Sequence, residues 1–492
     1  MKNPSRDLFN LPFLPWAASL ARSAFDAGLA VTGPHGSKLP IPVCALPEVR
    51  SAQEIKHFAR DAALLSSSAV KMANAVLASD HAQALLSSLS PFEASLAQGA
   101  YRNLERLATT RVDFFLSHGA HALEVNATIP AMQGYSDIAA DSFIKSVGRY
   151  AGLGESTVQQ LCRDNGSNSK ALHAALLQGF RSERGESMPQ RIGLLCRRND
   201  PQISELAFLA GQFRDFGTDA EVIHPENLSG EHKVVSGGKT FDLIYRHLFV
   251  RRIEETPAPY LKSLLREGPL HPSKVVILNP PASQVEVKTT LALLSETVDG
   301  ARTGLGAILS EDEREVISRT VPWTRRFLAP PAEILSQVSS APTQFVLKRA
   351  WDYGGKTVFI GRLDQSAAFR ERTVAVFGEA LGWRELCARA SIDRRGGGFV
   401  VQKYVDLQPR PQRVCTAQGV EDVVWYVDYS AYASVGLEHS EPWGGVCRGS
   451  SSPIVNLMGG GGLIPLITEE VARVLLQAVA HKQAGANRAP VG

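Results

Sequence analysis

Arg111-Val112-Asp113 and, further along, Glu124-Val125-Asn126 are the residues of this chain whose types and spacing most directly suggest chemistry. Side chains alternate between faces in an extended segment, so the outer members of each triplet share a face. Two adjacent antiparallel strands then bring together one guanidinium, two carboxylates and a carboxamide. Hard oxygen donors of this kind suit Mg²⁺, which takes one or two protein carboxylates and completes its shell with water and phosphate oxygens. A neighbouring arginine opposes negative charge that develops on a reacting acyl phosphate. Taken alone, the same pattern also describes a charged surface hairpin.

Three further groups offer complementary chemistry. Lys348 lies in the run FVLKRA, followed by Tyr353-Gly354-Gly355-Lys356 and a second apolar run ending at Gly361. A hairpin of this composition can fold over a triphosphate, with glycine amides approaching phosphate oxygens and Lys348 acting as a point charge. Gly-Gly turns also occur in hairpins of every function. The run FVVQKYV turns polar at Gln402, Lys403, Tyr404 and Val405, where a strand end can present backbone groups to a nucleobase and line a ring pocket. It is equally an ordinary strand. Gly444-Gly445-Val446-Cys447-Arg448 supplies a second candidate cation, and Gly459 to Gly462 is a costly stretch to order unless backbone approaches something closely. A flexible surface loop is the alternative.

The elements that must position these groups can be read in outline. Residues 51–107 have helical periodicity interrupted by Pro91, which predicts two helices. VDFFLS and ALEVNA, joined by His118-Gly119-Ala120-His121, predict a hairpin, and residues 136–184 predict helix. RIGLLCR, AEVIHP, FDLIYRHLF and VVILNPP then predict strands among the helices ELAFLAGQFRDFG and QVEVKTTLALLSE, an open α/β layer with parallel strands. No GxGxxG turn is present, so dinucleotide binding is not inferred. Tyr245-Arg246, Asn279-Pro280-Pro281 and Lys288 fall at or beyond the C-terminal edges of these strands, where such sheets bind ligands. From about Pro322 the pattern is α+β, ending in the helix TEEVARVLLQAVAHK, and residues 481–492 read as a disordered tail.

Bulk properties narrow the classes. With 492 residues the chain is long enough for two or three domains. Lys and Arg total 52 against 49 Asp and Glu, a formal net charge of +3, which makes no electrostatic case for nucleic acid. Cys44, Cys162, Cys196, Cys387, Cys415 and Cys447 form no CxxC pair, so neither a zinc site nor a disulfide framework is expected. His118, His121, His224 and His247 lie near strand ends without metal-ligand spacing and read as structural or exposed. Residues 1–20 do not resemble a signal peptide, and no apolar run is long enough for a bilayer. A soluble, cytoplasmic protein with no membrane partner is the expectation.

In this order the motifs resemble the ATP-grasp superfamily in its circularly permuted form, and most closely the synthetase domain of glutathionylspermidine synthase and its relatives. The resemblance rests on Arg111 and Asp113, on Glu124-Val125-Asn126-Ala127-Thr128-Ile129-Pro130, on Lys288, on Lys348 with Gly354-Gly355, on Gln402-Lys403-Tyr404, and on Gly444-Gly445 with Arg448. It spans roughly residues 102–465. Three positions depart from the pattern: Thr128 stands where the family has Asp, Arg349 follows Lys348 where it has Pro, and the loop is DYGGK without the usual Arg-Glu. The first of these removes a carboxylate that can contact substrate. No amidase domain of the kind fused to some members is apparent.

The resemblance implies an α+β ATP-grasp fold with an α/β pre-ATP-grasp-like layer and helical additions. The implied regions are a mostly helical 1–110, a metal-binding hairpin and helical segment at 111–185, the α/β layer at 186–300, nucleotide-binding subdomains at 301–480, and the tail at 481–492. It further implies ATP and Mg²⁺ as cofactors, with Asp113, Glu124 and Asn126 on the metal. Lys288, Lys348, Tyr353, Gly354, Gly355, Lys356 and Gln402 to Val405 would hold ATP, and Arg111 and Arg448 would be catalytic. The implied activity is ADP-forming ligation of a small-molecule or peptide carboxylate to an amine through an acyl phosphate. A catalytically silent ATP-binding module and a phosphotransferase are the alternatives.

Overall fold

The computed structural model describes residues 14–300, 305–416, 419–437 and 444–486. Its first long helix, α1 (Ala52–Leu77), begins with a capping box in which the Ser51 hydroxyl accepts from the Glu54 amide and Glu54 accepts from the Ser51 amide. Phe58, Leu65, Met72 and Val76 recur on one face and are buried. Helix α2 (Pro91–Gln98) starts the same way, with Ser90, Glu93 and Pro91 in its first turn, where proline's missing N–H is no loss. Pro91 therefore opens a helix, and a short one, Gln83–Leu86, lies between the other two. That makes three helices where the periodicity predicts two.

The chain next forms β2 (Leu107–Leu116) and β3 (Ala120–Asn126), the predicted hairpin, which turns through His118 and Gly119 at φ of 51° and 135°. Here β1 denotes the earlier pair Val43–Cys44. The helical stretch after the hairpin comprises α3 (Gln133–Ala151), Glu155–Asp164 and Asn168–Arg184.

Four apolar runs then form β4 (Arg191–Leu195), β5 (Asp219–Ile223), β6 (Leu243–Arg246) and β7 (Val276–Leu278), a fully parallel sheet in the order β7-β6-β4-β5. Helix α4 (Ile203–Asp215) links β4 to β5 and stops before Gly217, whose φ of 91° favours glycine. The chain leaves β4 towards one edge of the sheet and β6 towards the other, so the order switches between them. The expected final helix is broken at Val287 into Ser283–Glu286 and α5 (Lys288–Val298).

Strands β8 (Thr324–Arg326), β9 (Phe345–Arg349), β10 (Val358–Ile360) and β11 (Phe399–Lys403) make an antiparallel sheet in the order β8-β11-β9-β10. Phe327, Phe359, Trp383 and Leu386 form its core. The last strands are β12 (Arg410–Thr416), β13 (Gly419–Val435), β14 (Gly445–Ser450) and β15 (Gly462–Ile464). They join the hairpin in a seven-stranded sheet, β12-β1-β15-β14-β13-β2-β3. Strand β1 is thus threaded between β12 and β15, and Glu48–Arg50 pairs in parallel with Leu466–Thr468.

Helix α6 (Glu469–Ala486) runs past His481, where a disordered tail was expected. Lys482 explains the extension: its Nζ donates to the Tyr150 carbonyl and lies 4.5 Å from the Tyr150 ring centroid. The remaining tail residues and residues 1–13 lie outside the described chain. Among the described residues no disulfide joins any of the six cysteines. Among the described residues no helix is long and apolar enough to cross a membrane.

Candidate active site

Period-two alternation places the opening residues as expected. In the β2–β3 register Arg111 pairs with Asn126 and Asp113 with Glu124. All four face one cavity of about 360 Å³, and every other residue that the resemblance assigns to the site lines it too: Lys288, Lys348, Tyr353, Gly354, Gly355, Lys356, Gln402, Lys403, Tyr404, Val405 and Arg448.

At the cavity floor the charges are tightly paired. Arg111 grips Asp113 with two bonds, Nε to Oδ1 at 2.7 Å and Nη2 to Oδ2 at 3.0 Å, and its Nη1 donates to the Ala131 carbonyl at 3.1 Å. Strand β14 delivers Arg448 opposite Asp428 of β13, and Arg448 Nη2 bridges Asp428 and Asp113, the latter at 2.8 Å. Burial alone would raise the Asp113 carboxyl, but Arg111 and then Arg448 overturn this and hold it well below the usual carboxylate range. Asp428, which sequence reading missed, is pushed up to about 6 by burial despite Arg448. A lone Asp in the apolar run VVWYVDYSAY was its only signal.

This pairing bears on the metal expectation. Asp113 Oδ2 accepts from two guanidiniums and Oδ1 from one, so Asp113 is an arginine-holding group with little capacity left for a cation. Glu124 is partly exposed, with Oε2 3.5 Å from Lys288 Nζ, and Asn126 stands beside it on the same face. Among the described residues no three His, Cys, Asp or Glu side chains are grouped to hold a metal. Glu124 and Asn126 therefore fit a Mg²⁺ that takes the rest of its shell from phosphate and water.

The lysines come from separate elements. Lys348 Nζ donates to Gln402 Oε1 at 2.7 Å and to the Leu123 carbonyl of β3 at 3.3 Å, and burial lowers its pKa to about 8. Lys288 ties α5 to the loop after β9, its Nζ donating to the Asp352 carbonyl at 2.9 Å. Gly354 and Gly355 both have φ near 70°, and a Cβ on Gly355 would collide with Ile454. The β9–β10 loop is closed against two neighbours. Tyr353 stacks on Phe249, centroids 4.8 Å apart, and accepts from Arg252, while Asn456 Nδ2 donates to the Gly354 carbonyl at 2.9 Å. An aromatic pair of this kind contributes about 0.5–1.5 kcal/mol. Phe249→Ala is therefore expected to speed tryptic cleavage after Lys356 several-fold while leaving the unfolding midpoint nearly unchanged; an unaltered cleavage rate would show that the stack does not hold the loop.

At the other end, Val346, Val358 and Ile360 make an apolar wall beside Gln402 to Val405. The Lys403 and Tyr404 amides are already bonded to the Trp323 and Gln344 carbonyls. The opposite end of the cavity opens on the parallel sheet between β4 and β6. There Arg197, Asp200 and Gln202 follow one strand and His247, Phe249 and Arg252 the other, the switch-point crevice in which open α/β sheets bind ligands.

Several sequence expectations are corrected. Tyr245 and Arg246 are core residues, and Arg246 donates to the Leu248, Asn279 and Pro280 carbonyls. Asn279 bonds Thr109 and Ala127, fastening the parallel layer to the hairpin. Gly461 and Gly462 do lie against backbone, but it is the protein's own: a Cβ at Gly461 would meet the Gly449 carbonyl at 2.7 Å and one at Gly462 the Pro42 carbonyl at 2.5 Å. Thr128 is fully buried away from the cavity, and its amide donates to Glu286. His247 lines the cavity, buried, with Nδ1 unpartnered. Sequence reading also missed Asp352 and Glu286; the alternation Glu286-Val287-Lys288 was the available signal for the latter.

This mixed architecture resembles a glutathione synthetase-like fold. A glutathione synthetase-like effector from Globodera pallida, solved in its apo form, has a TM-score of 0.59 at 11% identity, covering 92% of this chain and 96% of that one. A candidate gamma-glutamylcysteine synthetase from Methylobacillus flagellatus KT aligns with a TM-score of 0.40 at 11% identity over 89% and 99% of the two chains. No family model and no curated protein matches the sequence.

Proposed function

We propose that the chain is an ADP-forming carboxylate–amine ligase with a circularly permuted ATP-grasp fold, resembling glutathionylspermidine synthase in motif order. One observation carries this reading: segments distant in sequence converge on a single cavity that runs from an apolar slot, past Lys288, Lys348, Lys356, Arg111 and Arg448, to a switch-point crevice. A phosphate-bearing nucleotide suits the first part and an acyl substrate the last. A permuted order would place the hairpin ahead of the lysine that meets it, as here, where Lys348 reaches the Leu123 carbonyl of a hairpin that precedes it by the whole parallel sheet.

Lys348, Lys288 and Lys356 would face the phosphates and neutralise charge as the substrate carboxylate attacks the γ-phosphorus and its bond to the β,γ-bridging oxygen breaks to release ADP. Glu124 and Asn126 would hold Mg²⁺, which supplies charge neutralisation at the phosphate oxygens. The loop from Asp352 to Thr357, latched by Phe249 and Asn456, excludes water from the acyl phosphate. An amine then attacks the acyl carbon, and phosphate leaves with the C–O bonding electrons. Arg448 meets the tetrahedral oxyanion, because Asp113 and Asp428 engage its Nε and Nη2 and leave Nη1 for the cavity.

The test is ADP release with Mg²⁺-ATP over a panel of carboxylates (glutathione, amino acids, short peptides) crossed with amines (spermidine, amino acids). Release that requires both partners, with an amide as product, is the expected result. A stable phosphorylated product formed without amine would replace this reading with a phosphotransferase, and nucleotide binding with no turnover on any pair would replace it with a binding module.

A further inference from the structure

Glu286 stands on the cavity wall, where the opposite charge of Arg246 acts on it without an ion pair between them. Its Oε2 accepts from the Ala127 amide at 3.0 Å and the Thr128 amide at 2.7 Å, directly after Asn126. That pins one oxygen; among the described residues no donor lies within hydrogen-bond distance of Oε1, and the side chain lines the cavity. The cations around it are all spent elsewhere. Arg246 of β6 donates to three carbonyls, and Lys288 turns to Glu124 and the Asp352 carbonyl. Glu93 of α2, the other nearby charge, has the same sign and is held by Trp351 and Ser283. Among the described residues Glu286 has no ion-pair partner. A buried carboxylate in that state favours either a proton or an external cation, and burial raises its pKa to about 7.

We propose that Glu286 binds the ammonium group of the amine substrate and accepts its proton as the amine attacks. A single free oxygen suits one N–H of an ammonium and is too few donors for a metal. One proton moves from the ammonium nitrogen to Oε1 and the freed lone pair forms the C–N bond; as the acyl C–O bond breaks, the departing phosphate takes the second proton from the nitrogen, leaving the neutral amide. The assignment rests on the ligase reading, and it makes Glu286 the general base of the second half-reaction.

Hydroxylamine separates the possibilities, because it is largely unprotonated at neutral pH and needs neither an ammonium subsite nor a base. With the carboxylate found by ADP release, Glu286→Gln is expected to lose about 10²-fold or more in amide formation while hydroxamate formation stays within about threefold of wild type. Equal loss of both activities would overturn the role of Glu286. Absence of hydroxamate and ADP from wild type on every carboxylate would instead overturn the ligase reading. Stability then decides for Glu286 alone. Its folded pKa lies above the unfolded value near 4.5, so its contribution to stability is lost as pH rises through about 7. Glu286→Gln should be at least as stable as wild type in urea at pH 8, and a clear loss there would show a carboxylate already satisfied within the fold.

Discussion

Arg448→Ala is expected to destabilise the chain by about 3–5 kcal/mol at pH 7, the usual cost of removing one partner from a buried charge cluster. Arg448 is the one guanidinium that touches both Asp113 and Asp428 in the described cluster, and all three are nearly inaccessible to water. Its removal leaves Asp428 with no direct ion pair, only the more distant Arg111, and Asp113 with Arg111 alone. The pH dependence follows from the two acids. Asp428 has a folded pKa of about 6, above its ordinary value, so it already takes up a proton just below neutrality. Acidification to pH 5 should therefore shrink the deficit of the variant, since a neutral Asp428 needs no partner. Asp113 is depressed, and the stability it contributes is lost only in stronger acid. Urea titrations at pH 5 and pH 7 check both points, and the double variant Arg448→Ala/Asp428→Ala should cost less than the two single losses added together. A single-variant loss below about 1 kcal/mol at pH 7 would mean that water compensates the cluster.

Lys348→Met should lower ADP release by about 10²–10³-fold, the cost of removing one preorganised donor from a developing charge, without destabilising the fold. The two effects have opposite signs for one reason. Burial lowers the Lys348 pKa to about 8, so the folded state pays to keep this side chain charged at neutral pH. Because the folded value lies below that of an unfolded lysine near 10.5, wild type gains stability as pH rises from about 8 towards 10.5, and Lys348→Met lacks that gain. At pH 7 the variant should be as stable as wild type or more so. ADP-release assays and urea titrations on the same preparation separate activity from folding. Retained turnover in Lys348→Met would remove this lysine from the mechanism.

The local part of the site was legible in the sequence because one rule positions it. Alternation along an extended strand requires Arg111 and Asp113, and likewise Glu124 and Asn126, to share a face, and a tight turn through His118 and Gly119 aligns the pairs. The parallel layer was legible for a similar reason, since short apolar runs between helices have few other solutions. What local rules do not carry is choice of partner. Nothing near Asp113 in sequence foretells that Arg448 arrives from a strand far downstream and takes up one of its oxygens. Gly459 to Gly462 announced a close approach, yet Pro42 and Gly449 as the things approached depend on sheet order alone. Tyr245-Arg246 looked like a strand-edge pair and is a buried brace, because the loop through Asn279 folds back over it.

The threading of Val43–Cys44 between β12 and β15 sets a timetable for the growing chain. This strand has both its sheet neighbours far downstream in the chain, so its slot does not exist until they emerge. Until then the hairpin holding Arg111 and Asp113 lacks β13 along its side, and the Asp113 carboxylate remains in water. Contacts of such long sequence separation are late and slow to form. The cavity is thus assembled in one closing event, and nascent chains spend the interval before it with unpaired strand edges, the condition in which chaperones are most needed.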